Sequence, residues 1–93
     1  MKKDLEKLLF NPIRLKLISF LISVDSASFN KLIEISGASK GNMSIQIKKL
    51  NKAGYIRIKK KFVRNIPLTT CSITSKGKRS FEIFFNELQS FKN

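Results

Sequence analysis

At Gly54 the spacing of apolar residues changes from three-and-four to two, within a segment that carries no acidic residue. The segment is "SGASKGNMSIQIKKLNKAGYIRIKKK", Ser36 to Lys61, with eight lysines and arginines and three glycines. Met43, Ile47 and Leu50 fall together at about 100° per residue, which predicts a helix over Lys40–Ala53 closed by Gly54. Beyond the glycine, Ile56 and Ile58, with Tyr55, serve a core, while Arg57, Lys59 and Lys61 point the other way. A helical period cannot continue as a strand, so the chain must pass from basic helix to basic strand at this glycine.

Upstream signals define the neighbouring elements. Asn11-Pro12 is a helix start, since Asn accepts from orphan N–H groups and Pro at the first helical position needs no donor. Ile13, Leu17, Phe20, Leu21 and Val24 then form one helical stripe, and Leu15, Ile18 and Ile22 a second apolar side. A helix apolar over so much of its girth packs against more than one neighbour. Asp4–Phe10, with Leu5, Leu8 and Leu9, reads as a short helix on the same core. Asp25–Ser28 is a polar break, with a strand bridge at Phe29. Asn30 caps a short helix, Lys31–Ser36, with Leu32 and Ile35 inward. Gly37 ends it in the left-handed conformation that glycine adopts most easily. Ser39 follows at once as the next N-cap, so the two helices must cross steeply in helix-turn-helix geometry.

Val63–Pro67 reverses the chain, with Asn65 suited to a turn and Pro67 unable to donate to a ladder. Leu68–Ile73 returns as a Thr-rich strand with Cys71 and Ile73 on one side. Thr74 caps a last helix, Ser75 to about Lys92. Its first turn holds Lys76, Lys78 and Arg79 against the helix dipole. Further on, Phe81, Phe84, Phe85, Leu88 and Phe91 form an apolar stripe wide for a small monomer, which predicts packing on a second subunit.

Charge narrows the function. The net charge of +13 is concentrated in one block: residues 39–79 hold twelve basic groups and no acidic one. Such a block meets polyanions, the alternative being a solubilising face. No histidine is present, and Asp4, Glu6, Asp25, Glu34, Glu82 and Glu87 are scattered. No acid–base pair, metal-ligand set or glycine-rich phosphate loop follows, so neither catalysis nor a cofactor is expected. The longest apolar-rich run, Leu17–Val24, is too short to span a bilayer, and Asp4 and Glu6 conflict with a signal-peptide start. A single cysteine fits a reducing cytoplasm, with nucleoid association as the expected location. Cys71 itself reads as a small hydrophobe within the sheet, with a redox switch as the alternative.

The helix face opposite Met43, Ile47 and Leu50 holds Gly41, Asn42, Ile45, Lys48, Lys49 and Lys52, flanked by Ser44 and Gln46 and preceded by Ser39 and Lys40. Lysines suit phosphate, Asn and Gln can pair with adenine in the major groove, and Ile can touch a thymine methyl. Gly41 lets a backbone approach closely. The alternative is a solvated face with a stray isoleucine. The hairpin loads Lys59, Lys60, Lys61 and Arg64, with Asn65, at its far end. Edge lysines that block aggregation are the alternative there.

"NPIRLKLISFL", "SFNKLIEISGASKGNMSIQIKKLNKAGYI" and the T-x-x-G of Thr74–Gly77 resemble the small MarR/ArsR-like winged-helix transcriptional regulators over residues 10–90. The implied fold is α+β, mostly helical, a winged helix-turn-helix: a three-helix core, a two- or three-stranded β-wing and a C-terminal helix. Residues 1–93 form one domain, with core and wing at 11–73 and the dimerisation helix at 74–93. The resemblance implies a homodimer on double-stranded DNA, with helix 40–53 in the major groove and wing 59–67 on the flanking backbone or minor groove. It places Leu5, Leu9, Leu15, Phe81, Phe84, Phe85, Leu88 and Phe91 at the dimer interface. ArsR-type metal sensors carry Cys- or His-rich ligand sets that this chain lacks, and MarR-type effector pockets need longer flanking helices. A sequence-specific regulator, acting as a repressor, is the expected function. A nonspecific architectural DNA-binding protein and a winged-helix protein-interaction module are the alternatives. RNA binding is not favoured, because the aromatics lie in apolar stripes and not on a basic sheet face.

Overall fold

The computed structural model describes residues 7–91. Lys7–Leu9 are helical and lead into α1 (Pro12–Val24). β1 (Ser26–Ser28), α2 (Phe29–Ser36), α3 (Lys40–Lys52), β2 (Ile56–Val63), β3 (Ile66–Ile73) and α4 (Ser75–Ser90) follow. The three strands form one antiparallel sheet in the order β1-β3-β2. This is the winged-helix fold: three helices packed around one core, a hairpin projecting beyond them, and a closing helix.

Local chemistry sets each boundary. Asn11 Oδ1 accepts from the N–H groups of Ile13 and Arg14 at 3.0 Å, and Pro12 opens α1. Ser28, and not Asn30, caps α2 through its hydroxyl to Lys31 N, so that helix starts earlier than expected. Gly37 ends it at φ 72°. Ala53, Gly54 and Tyr55 close α3 in a Schellman pattern, with Gly54 N donating to Asn51 O at 2.9 Å and Tyr55 N to Leu50 O at 3.0 Å. The polar break 25–28 departs from expectation. Ser26, Ala27 and Ser28 pair with Ser72, Cys71 and Thr70, making an edge strand from residues that show no apolar alternation.

The core unites Leu9, Leu17, Ile18, Leu21, Leu32, Met43, Ile47, Leu50, Tyr55, Ile56, Cys71 and Phe84. Val24, placed in the α1 stripe by spacing, is exposed at the helix end. Leu5 and Lys92 lie outside the described residues.

The T-x-x-G motif locks α4 to the end of α3. Thr74 Oγ1 accepts from Gly77 N at 3.0 Å, and its proton is shared between the carbonyls of Gly54 at 2.7 Å and Tyr55 at 3.0 Å. Gly77 is buried directly against the Tyr55 backbone, where no Cβ fits. One hydroxyl thus caps a helix and ties it to the base of the hairpin.

Candidate nucleic-acid interface

The exposed surface of α3 begins at its cap. Ser39 Oγ accepts from Asn42 N at 3.1 Å, which leaves Lys40 and Gly41 in the first turn facing solvent. Gly41 has open space where a Cβ would be, so nothing in the fold demands a glycine there. Ile45 is 53% exposed beside half-buried Asn42 and Ser44, and Lys48, Lys49 and Lys52 continue the same surface.

Gln46 departs from expectation. Spacing puts it on the flank of the reading face, but only 8% of it is exposed, because positions 43, 46, 47 and 50 form a single buried stripe. Each half of its amide has a protein partner: Oε1 accepts from Arg14 Nη1 at 2.5 Å and Nε2 donates to Asn42 Oδ1 at 2.8 Å. Gln46 is thus placed inside the fold and not on the exposed face expected for it, with both halves of its amide turned to protein partners. Asn42 keeps its place near the surface, but its carbonyl points inward.

Arg14 is the residue sequence reasoning missed. It is 9% exposed, and its guanidinium donates to the carbonyls of Leu8 at 2.5 Å and Lys7 at 3.5 Å as well as to Gln46. Burial lowers its pKa, yet an arginine that starts this high stays charged. A signal was present: Arg14 sits in register with Leu17, Ile18 and Leu21, on a buried face where a charge requires partners.

The hairpin is an eight-pair ladder from Ile56↔Ile73 to Val63↔Ile66, closed by Arg64 and Asn65 alone. Both turn residues are left-handed, φ 53° and 65°, as a two-residue type I′ turn requires. Asn65 suits that conformation, whereas Arg64 is a costly occupant that puts a charge at the tip. Phe62, Val63 and Ile66 beside it are exposed apolar residues.

Strand alternation divides the basic residues expected to act together. Lys60 shares a face with Ile56 and Ile58 and turns toward α3, where a cleft of about 270 Å³ is lined by Lys60, Lys48, Ser44, Ile47, Ile58, Phe29 and Thr69. Lys59 lies on the opposite face, in a separate groove with Arg57, Ser72 and Ser75. Lys61 alternates with Lys60 and joins Lys59 on that far side.

Among the described residues, the basic groups of α3 and the hairpin have no acidic partner. Among the described residues the ion pairs are Lys31–Glu34 at 2.9 Å and Lys78–Asp25 at 3.6 Å, both exposed and both elsewhere. Lys76 Nζ lies 5.8 Å over the Tyr55 ring and Lys78 pairs with Asp25, so two of the three cations in the first turn of α4 have a local partner.

The expected interface residues divide as well. Leu9 and Phe84 are buried within the protomer, at 0% and 2% exposed, so they are corrected to core positions. Leu15 and Phe81 are half-buried, while Phe85, Leu88 and Phe91 are exposed. Phe81 stacks on Phe85 with ring centroids 6.1 Å apart. Exposed Phe10 packs edge-on against Phe84 at 5.9 Å, adding an aromatic the sequence did not single out.

Cys71 is fully buried between β1 and β2, and burial pushes its thiol up to about 11, far from the reactive range. Among the described residues no three His, Cys, Asp or Glu side chains gather where they could hold a metal ion, and no helix is long and apolar enough to cross a membrane.

Comparison with known proteins agrees with this architecture. A family model described as a winged helix DNA-binding domain matches residues 13–91. Uncharacterized protein MJ0432 of Methanocaldococcus jannaschii is 31% identical over 88 residues, spanning 94% of this chain and 96% of that protein. The solved structure of a transcriptional regulator homologue from Pyrococcus horikoshii OT3 superposes with a TM-score of 0.85 at 26% identity, covering 96% of this chain and 90% of that one. The transcriptional repressor BigR from Xylella fastidiosa shares the fold at a TM-score of 0.75 and 20% identity, over 96% and 83% of the two chains. ArsR- and MarR-family regulators are among the other solved structures with this fold.

Proposed function

The chain belongs to the winged helix DNA-binding domain family, and from that premise we propose that it is a homodimeric transcriptional repressor that occupies a specific operator. In this reading α3 enters the major groove and the hairpin grips the flanking backbone. The observation that carries it is the acid-free block of residues 39–79, whose basic side chains on α3 and the hairpin have no acidic partner among the described residues. Unpaired cations at this density repel one another, and a polyanion relieves that repulsion.

The parts divide the work. Lys48 and Lys60 converge on one cleft from two elements, which suits a phosphate held between helix and wing. Lys40, Lys49 and Lys52 add phosphate contacts along α3. Ile45 and Asn42 are left to meet base edges, with Gly41 and Ser44 allowing close approach. Phe85, Leu88 and Phe91, with exposed Phe10 against Phe84, supply apolar surface for a second copy, and two-fold pairing would set two α3 helices about one DNA turn apart.

One observation favours a second reading. With Gln46 withdrawn, the exposed face of α3 offers few base-reading groups, which suits a nonspecific architectural protein. Sequencing the duplexes selected from a random pool separates the two. A pseudo-palindromic motif is expected for a dimeric regulator; binding without enrichment identifies an architectural protein.

A further inference from the structure

Three side chains connect the N-terminal segment to the reading face of α3, and the chemistry of the first dictates the orientation of the last. Arginine has donors and no acceptor. Arg14 Nη1 therefore requires the carbonyl half of the Gln46 amide, and finds Oε1 at 2.5 Å. The amine half of Gln46 is thereby turned the other way, where Nε2 donates to Asn42 Oδ1 at 2.8 Å, one helical turn earlier. Asn42 can receive that proton only with its carbonyl inward, so its own Nδ2 lies on the outer side. Arg14 cannot swing out of this arrangement without loss, because its Nε is held by Leu8 O at 2.5 Å.

We infer that the Arg14–Gln46 pair is a positioning device that fixes Asn42 as a hydrogen-bond donor toward DNA, and so sets which base edge α3 accepts. The inference rests on the reading of α3 as the helix that enters the major groove. An asparagine free to use both halves of its amide pairs bidentately with adenine N6 and N7. With its carbonyl held by Gln46, Asn42 presents N–H alone. It then matches edges that offer acceptors, guanine O6 and N7, thymine O4 or, through one bond, adenine N7, and is rejected by the cytosine N4 amine.

Gln46→Glu tests this without emptying the site. The carboxylate still accepts from Arg14, now as an ion pair, but it has no proton to give Asn42. Asn42 gains an acceptor in place of a donor, its Nδ2 turns inward and Oδ1 turns out. Wild-type protein should select guanine or thymine over cytosine at one position of each half-site, by about fivefold or more. Gln46→Glu should reverse that preference, and Asn42→Ala should abolish it in either background.

A second readout needs no DNA. In side-chain amide NMR of the free protein, wild-type Gln46 should show a protected proton while both Asn42 Nδ2 protons exchange with solvent; in Gln46→Glu one Asn42 proton becomes protected. Protected Asn42 protons in the wild type, or an unchanged base preference in Gln46→Glu, would overturn the inference. If the wild type selects no sequence at all, the operator-binding reading fails on its own, and amide exchange alone decides the polarity of Asn42.

Discussion

Gly77 lies so close to the carbonyl oxygen of Tyr55 that an added Cβ would overlap it, and would also stand 2.9 Å from Ile73 Cδ1. The clash is with backbone, which cannot swing aside, so relief requires α4 to move off the end of α3. Gly77→Ala should cost about 1–3 kcal/mol in stability by denaturant titration, despite the gain in helix propensity. A variant as stable as the wild type would show that the contact is slack.

Gly41 is the opposite case. It sits in the first turn of α3 with nothing near the position of a Cβ. Gly41→Ala should raise stability by about 0.5–1 kcal/mol, because alanine loses less entropy in the helix. It should nevertheless weaken DNA binding if the backbone approaches the duplex at that point. Thermal unfolding and a binding titration on one preparation check both halves. Greater stability with unchanged affinity would place Gly41 outside the contact.

The division of the hairpin lysines makes a graded expectation. Lys60 faces the cleft that Lys48 lines, whereas Lys59 faces the far groove. Lys60→Ala should lower affinity on every duplex and reduce the salt slope by about one unit per half-site, as loss of a phosphate contact does. Lys59→Ala should do less. Equal losses for the two would mean that DNA wraps both faces of the wing.

Assembly follows from the exposed aromatics. Phe85 is 48% exposed and contributes little to the protomer core, unlike buried Phe84. Phe85→Glu should therefore leave a folded protein, judged by circular dichroism, while weakening self-association by about 2 kcal/mol or more if Phe85 is central to the interface. Sedimentation at micromolar concentration reads the result. A wild-type monomer, with Phe85→Glu retaining full DNA affinity, would exclude the dimer.

Much of the architecture was legible because local signals agreed. Asn11-Pro12, Gly37-Ala38-Ser39 and Gly54 are caps and breaks whose chemistry is complete within a few residues, and the change of period at Gly54 fixed the passage from helix to strand. β1 was hidden because an edge strand of Ser26, Ala27 and Ser28 owes its pairing to β3, not to its own pattern. The candidate site was legible only in outline. Gln46 looks exposed until its partner Arg14, 32 residues away, is known, and only the ladder register separates Lys60 from Lys59 and Lys61. Arg14 and Gln46 were each visible as a polar residue in line with a buried stripe, a pattern that asks for a distant partner.

The basic surface of α3 and the hairpin, without acidic partners among the described residues, should bind duplex DNA. Titrating binding to a fixed duplex across a series of salt concentrations tests it most directly. A dimer that neutralises ~6–10 phosphates should give a slope of log K against log salt of about −5 to −9. A slope near zero, or no measurable binding at low salt, would show that this surface is not a DNA-binding surface.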